Sequence, residues 1–129
     1  MPIRIVLAED HYLVRVGVSR LIRTEPELDL VASCGDLPSL LTAIEEHRPD
    51  VVLTDIRMPP PGTDEGLQAA DRLRELRPDA GIVVLSQYAD PQYALAFLEH
   101  GSKGRAYLLK EHVSDIDQLL RAIRAVTKG

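Results

Sequence analysis

The sequence predicts an α/β fold in which helices cover both faces of one parallel β-sheet. Five short apolar segments alternate with five longer segments in which apolar residues recur at helical spacing. The short segments are apolar at almost every position, as is typical of strands that are buried on both faces of a sheet. Twice an Arg-Pro-Asp triplet separates a helical segment from a buried strand, at 48–50 and at 77–79. Right-handed helical crossovers between such strands form a three-layer sandwich.

The predicted elements fill the whole chain in alternating order. The strands are predicted at 3–8, 28–33, 51–54, 82–85 and 105–109, and the helices at about 11–24, at 38–47, before Pro78, at 91–100 and from Ser114 onward. The helical periodicity of the first helix rests on four apolar residues, Leu13, Val16, Leu21 and Ile22. We therefore expect these elements to form a single domain over residues 1–129.

Composition excludes several classes of function. The chain has 129 residues and a formal charge of -5, with 15 Lys and Arg against 20 Asp and Glu. This balance argues against direct binding to DNA or to an anionic membrane, because both need a basic surface. Cys34 is the one cysteine, which excludes an internal disulfide and favours a cytoplasmic protein. The segment at 1–4 is not a secretory signal, and no apolar run reaches membrane-spanning length.

Polar residues follow four of the five predicted strands. Glu9 and Asp10 follow the first strand, Asp55 the third, Ser86 the fourth and Lys110 the fifth. Ligands of open α/β sheets bind beyond the carboxyl ends of the strands, so we expect these side chains to line one site.

The residue types at these strand ends point to phosphoryl transfer. Three carboxylates in one cleft repel one another unless a cation lies between them, and oxygen ligands of this kind suit Mg²⁺. Lys110 adds a positive charge and Ser86 a hydroxyl donor, both suited to a phosphoryl oxygen. A metal, a lysine and a hydroxyl around Asp55 indicate a site in which this aspartate is the covalent acceptor.

These motifs together resemble the receiver domain of bacterial two-component response regulators. The matching segments, in family order, are Glu9-Asp10, Asp55-Ile56-Arg57-Met58-Pro59, Ser86 and Tyr107-Leu108-Leu109-Lys110. The resemblance covers nearly the whole chain, and segments 85–88 and 107–110 are similar to the LuxR/NarL-type branch. It implies a flavodoxin-like (βα)5 fold with strand order 2-1-3-4-5.

The resemblance also implies a role for each acidic residue. Asp55 matches the position that accepts a phosphoryl group from a sensor histidine kinase. Glu9 and Asp10 match the acidic pair that binds Mg²⁺ together with Asp55, and the backbone carbonyl of Arg57 matches a further metal ligand.

In the same way, the resemblance implies a switch that follows phosphorylation. Lys110 matches the lysine that contacts the phosphoryl group, Ser86 the hydroxyl that moves toward it, and Tyr107 the aromatic residue that turns inward. We expect phosphorylation to favour a homodimer, through the first and last helices or through the face of the fourth and fifth predicted helices. Receivers of this branch precede a helix-turn-helix domain, so we expect the chain to be the N-terminal part of a transcriptional regulator, with DNA bound only by the further domain.

Two features depart from the family pattern. The loop at 59–66 is longer than the usual turn after Met-Pro, and it borders the predicted site. The sequence therefore leaves undecided whether a kinase or water reaches the site as in other receivers. Lys110 precedes Glu111, whereas many receivers have Lys-Pro with a cis bond, which is costly before any residue other than proline. The geometry of that loop is therefore also open.

Three other functions compete with this interpretation. A stand-alone receiver would act by protein contact alone, and the full reading frame distinguishes it. An aspartyl phosphatase would turn over small phosphate esters, although so short a chain leaves little room for a cap domain. A flavin-binding module would need a phosphate-binding loop after the first strand and stacking aromatics, yet the chain has one Phe and no Trp.

Overall fold

In the computed structural model, which describes residues 2–55, 65–77, 80–86, 105–109 and 116–127, five parallel strands form one sheet. The strands are β1 (Ile3–Ala8), β2 (Leu28–Cys34), β3 (Val51–Asp55), β4 (Gly81–Ser86) and β5 (Arg105–Leu109). Their order in the sheet is β2-β1-β3-β4-β5, and each neighbouring pair is parallel. The predicted strand order and the flavodoxin-like α/β class are both confirmed.

Within the described ranges, four helices connect or follow these strands. They are α1 (Tyr12–Arg23), α2 (Leu37–His47), α3 (Glu65–Leu76) and α4 (Ile116–Thr127). The helix predicted at 91–100, the cap residue Ser114 and most of the loop at 59–66 lie outside the described residues. No helix in the described part of the chain is long and apolar enough to cross a lipid bilayer.

The sheet separates two hydrophobic cores, because successive side chains of a strand point to opposite faces. On one face, Val6, Val52 and Val84 pack with residues of α2 and α3, among them Leu40 and Leu73. The other face carries Ile5, Leu7, Leu53, Val83 and Leu85, which pack with Val18 and Ile22 of α1 and with Leu119 and Ile123 of α4. The molecule is thus the three-layer sandwich that the sequence predicts.

Helix α1 buries a different stripe from the one that the sequence pattern indicates. Of the four apolar residues, Ile22 is fully buried, Val16 and Leu21 are half-buried, and Leu13 is 73% exposed. Leu13 lies nine residues before Ile22, about two and a half turns at 3.6 residues per turn, so it faces the opposite side of the helix. Val18, one turn before Ile22, takes its place in the core.

Helix α2 begins and ends in ways that fix the segments next to it. Asp36 caps its first turn, since Asp36 Oδ1 accepts a hydrogen bond of 2.8 Å from the backbone N–H of Ser39. This bond holds the pKa of Asp36 below its ordinary value. Arg48 ends the helix in the left-handed region, with φ 45°. The chain then turns directly into β3.

The amino-terminal edge of the sheet is tied together by Asp50. Its carboxylate accepts hydrogen bonds from the backbone N–H of Arg4 at 2.9 Å and from Arg77 Nη1 at 2.8 Å. Burial opposes the charged form, but these two donors outweigh it and hold the pKa of Asp50 below its ordinary value. Asp50 thereby joins β1, the start of β3 and the end of α3 at the edge opposite to the candidate site.

Candidate functional site

The register of the sheet brings three acidic residues together at its carboxyl edge. Ala8 at the end of β1 pairs with Thr54 of β3, so Glu9 and Asp10 leave the sheet beside Asp55. One carboxylate oxygen from each of Glu9, Asp10 and Asp55 lies within 4.8 Å of the others. The sequence predicts this proximity from the strand ends alone, and the structure confirms it.

The three carboxylates differ in their exposure to solvent. Glu9 is fully buried and Asp55 is 9% exposed, whereas Asp10 is exposed. Buried carboxylates at this separation are costly unless a positive charge compensates them. Oxygen donors on two buried side chains and one exposed one suit a hard cation that keeps several waters, as Mg²⁺ does. The donor set therefore fits a divalent cation at the mouth of the sheet.

Glu9 is held by its backbone as well as by its side chain. Its N–H donates to the carbonyl of Cys34 at 2.9 Å, and its carbonyl accepts from Arg15 Nη1 at 2.9 Å. Its Oε1 accepts from the backbone N–H of His11 at 3.1 Å. These bonds fix Glu9 between β2 and the beginning of α1.

Asp55 is the last residue of β3, and this position turns its carboxylate toward the edge of the sheet. It pairs with Leu85 of β4 and is flanked by Thr54, a fully buried residue whose hydroxyl donates to the Asp55 carbonyl at 3.0 Å. The strand extends one residue beyond its predicted end at Thr54. Asp55 is therefore placed by the rigid sheet rather than by a loop.

The remaining predicted site residues are described only in part. Ser86 ends β4 and pairs with Leu109 of β5, and Tyr107 pairs with Val84, but only the backbones of Ser86 and Tyr107 are described. Arg57 and Lys110 lie outside the described residues. The sheet thus brings the ends of β4 and β5 to the same edge as the acidic cluster, while the roles of these four residues stay predictions.

Sequence reasoning did not single out Arg15 or Gly35 near this site. Arg15 lies in the first turns of α1, and its guanidinium turns back to the carbonyl of Glu9. Gly35 follows β2 directly and lies beside that guanidinium. Two features of the sequence could have indicated these residues. Arg15 lies one turn into the helix that follows Glu9 and Asp10, and Gly35 comes two residues after Ser33, the predicted end of the second strand.

The comparisons with known proteins agree with this fold. The family model described as response regulator receiver domain matches residues 5–124. The oxygen regulatory protein NreC of Staphylococcus haemolyticus is 36% identical over 126 residues, which cover 98% of this chain and 55% of NreC. The transcriptional regulatory protein DegU of Brevibacillus brevis is 39% identical over 127 residues, covering 98% of this chain and 51% of DegU.

A solved structure extends the agreement to three dimensions. A two-component response regulator of the LuxR family from Aurantimonas sp. superposes with a TM-score of 0.83 at 32% identity, covering 100% of this chain and 87% of that one. Fold and site define a receiver of the two-component type. The chain belongs to the response regulator receiver domain family, and its relatives are of the NarL/LuxR type. It spans about half the length of the curated relatives it matches.

Proposed function

We propose that Asp55 is the phosphoacceptor of this receiver and that a sensor histidine kinase supplies the phosphoryl group. The observation that carries the proposal is the cluster of Glu9, Asp10 and Asp55, with carboxylate oxygens within 4.8 Å of one another at the carboxyl edge of the sheet. In a receiver domain, the buried carboxylate at the end of the central strand is the best-placed nucleophile. Asp55 fulfils this condition, because β3 lies between β1 and β4.

The transfer is a displacement at phosphorus. A carboxylate oxygen of Asp55 forms the new O–P bond as the P–N bond of the phosphohistidine breaks, and the imidazole nitrogen keeps the electron pair of that bond. Glu9, Asp10 and Asp55, with the backbone carbonyl of Arg57, would hold Mg²⁺. When bound, this ion neutralises part of the negative charge that collects at the site. The fixed backbone of Glu9 keeps the acidic residues in position without rearrangement.

Phosphorylation then changes the surface that a partner contacts. Lys110 contacts the phosphoryl group, Ser86 moves toward it and Tyr107 turns inward. The altered surface favours a homodimer. The pairing of Ser86 with Leu109 supports this proposal, because it brings the ends of β4 and β5 to one edge of the sheet.

The chain, residues 1–129, acts as the N-terminal receiver of a longer cytoplasmic regulator whose further domain binds DNA. Its match to about half of NreC and DegU supports this arrangement. The role is regulatory: the chemistry of Asp55 is confined to its own phosphorylation and dephosphorylation. Steady turnover of a small phosphate ester, lost in Asp55→Asn, would instead indicate a phosphatase.

Labelling with a small phosphoryl donor tests the proposal. Wild-type protein incubated with phosphoramidate or acetyl phosphate and Mg²⁺ gains the mass of one phosphoryl group, and Asp55→Asn gains none. Asp29→Asn is the matched control, because it removes an exposed aspartate near the start of β2, outside the acidic cluster. Removal of Mg²⁺ with EDTA abolishes the gain in wild-type protein. Labelling that persists in Asp55→Asn would refute the assignment.

A further inference from the structure

We infer that Arg15 is a positioning residue for the divalent cation and that Gly35 provides the space it needs. Arg15 does not pair with any of the three carboxylates in the described contacts; its Nη1 donates to the backbone carbonyl of Glu9 at 2.9 Å. The inference rests on the proposed function, since it concerns the cation that the acidic cluster would hold.

The guanidinium of Arg15 lies near three segments: the first turn of α1, the end of β1 and the residue that follows β2. Its Cζ lies 5.6 Å from the centre of the Tyr12 ring, within the range of a cation–π contact. Its backbone carbonyl accepts the hydroxyl of the buried Ser19 at 2.7 Å. The backbone of Arg15 is therefore held within α1, while the far end of its side chain reaches the end of β1 and the residue after β2.

Gly35 is the residue that leaves room for this arrangement. A Cβ atom at position 35 would lie 2.4 Å from Arg15 Nη1 and 3.9 Å from the Glu9 carbonyl oxygen. The first distance is far too short, while the second is an ordinary contact. Because the clash is with the end of a flexible side chain, an alanine at 35 displaces the guanidinium and leaves the backbone in place.

The bond from Arg15 completes the fixation of Glu9. The N–H of Glu9 is held by Cys34, its Oε1 by the N–H of His11, and its carbonyl by Arg15. Loss of the last of these bonds removes the contact that orients the peptide between Glu9 and Asp10, and with it part of the common orientation of the two carboxylates. Groups that orient metal ligands in this way contribute strongly to metal affinity.

A purely electrostatic role predicts the opposite effect. A guanidinium next to the site repels a divalent cation, so its removal would tighten binding if charge alone mattered. The positioning role predicts weaker binding. Arg15→Gln removes both the charge and the contact, whereas Gly35→Ala keeps the charge and displaces the contact. The two variants therefore separate the two roles.

The test is an NMR titration of the protein with MgCl2, followed at the backbone amides of Glu9 and Asp10. We expect Arg15→Gln and Gly35→Ala each to raise the Kd for Mg²⁺ by about tenfold, the lower end of the loss seen when a supporting group of a metal ligand is removed. Arg20→Gln, which removes an exposed arginine from the same helix, leaves the Kd within a factor of about two, because distant surface charges are screened. The labelling rate of each variant returns to the wild-type value at saturating Mg²⁺.

The double variant provides a second readout. If Gly35→Ala acts through the guanidinium, it has no further effect on the Kd in the Arg15→Gln background. The inference would be overturned if the two substitutions weakened Mg²⁺ binding additively in the double variant. It would also be overturned if either single variant kept the wild-type Kd. A loss of thermal stability with unchanged Kd would show a structural role only and would also overturn it. If wild-type protein binds no Mg²⁺ at these amides, the proposed function itself fails.

Discussion

Ala8 of β1 and Thr54 of β3 are partners in the register of the parallel sheet, and their pairing sets the geometry of the acidic cluster. Both residues are fully buried, so neither strand can shift without moving its core side chains to the other face. Glu9 and Asp55, each one residue further along, are consequently side by side in a rigid frame. The register of the sheet therefore sets the spacing of the three carboxylates.

Asp10→Asn is expected to stabilise the metal-free protein. Its carboxylate lies within 4.8 Å of those of Glu9 and Asp55, and like charges at about 4 Å repel by roughly 1 kcal/mol even in water. We expect the free energy of unfolding without Mg²⁺ to rise by an amount of that order. The stabilisation that Mg²⁺ gives to wild-type protein shrinks in the variant. Urea unfolding with and without MgCl2 measures both effects.

Asp29→Asn serves as the control for this substitution, because Asp29 is an exposed aspartate on β2 and its removal changes the net charge equally. It should leave the Mg²⁺-dependent stabilisation as in wild type. A metal-free Asp10→Asn protein that is less stable than wild type would show that the three carboxylates are not in net repulsion.

Alanine at position 81 is expected to separate α4 from the sheet. A Cβ atom on Gly81 would lie 2.5 Å from Val126 Cγ2 and 2.9 Å from the backbone oxygen of Val126, so the helix must move. We expect a loss of about 1–3 kcal/mol in the free energy of unfolding, as is typical of overpacking. Urea denaturation measures the loss.

In contrast to Gly81→Ala, Gly17→Ala is expected to raise the free energy of unfolding. Gly17 lies on the exposed side of α1, and nothing lies within 4 Å of the Cβ that would be added. Gly17→Ala should therefore stabilise by about 0.5–1 kcal/mol through helix propensity. Equal effects of the two substitutions would contradict the close approach of α4 to β4.

Asp50→Asn is expected to lower stability at neutral pH and to matter less in acid. The pKa of Asp50 lies below its ordinary value, so its ionised form stabilises the folded state above about pH 4, and this contribution is lost as pH falls toward the folded-state pKa. The stability curves of wild type and variant should converge as the pH is lowered. Arg77→Gln, which removes a donor to the same carboxylate, should also approach wild type as the pH falls, while the loss of its bonds to the carbonyls of Arg48 and Pro49 leaves a difference that does not depend on pH. If the difference in the free energy of unfolding between wild type and Asp50→Asn did not change with pH, the ionised Asp50 carboxylate would not be the stabilising group.

Lys110→Ala is expected to uncouple phosphorylation from dimerisation. Lys110 is assigned a contact to the phosphoryl group rather than the role of nucleophile, so the variant still accepts phosphate on Asp55, at a reduced rate. Sedimentation velocity before and after labelling measures the coupling. Lys103→Ala, which removes the lysine seven residues earlier in the sequence, should dimerise as wild type does. If the sedimentation profile of Lys110→Ala changed on phosphorylation as that of wild type does, Lys110 would not couple phosphorylation to dimerisation.

The strands and the acidic cluster were predictable from sequence because both depend on patterns that are local in the chain, whereas the order of the strands came from the resemblance to the receiver family. A buried parallel strand is a short apolar run, and the residue after it must appear at the carboxyl edge, as Asp55 does. The core side of α1 was not predictable in the same way. With apolar residues all round the helix, the sheet decides that Val18 is buried and Leu13 exposed.

The sequence pattern did not indicate the contact of Arg15 with Glu9, for a different reason. It depends on the space that Gly35 leaves on a neighbouring loop, and neither residue alone indicates it. Such contacts between side chain and backbone carry no periodic signal. They become visible once the ends of β1 and β2 are placed side by side.

Reductive trapping of the phosphorylated protein tests the central claim most directly. Borohydride reduces an aspartyl phosphate to homoserine, so peptide mass spectrometry after labelling with phosphoramidate and Mg²⁺ identifies the residue that carried the phosphoryl group. Homoserine is expected at position 55 and nowhere else, and its yield should fall to background when EDTA replaces Mg²⁺. Homoserine at position 10, or a phosphoryl group retained on a histidine with position 55 unmodified, would contradict the assignment of Asp55 as the acceptor.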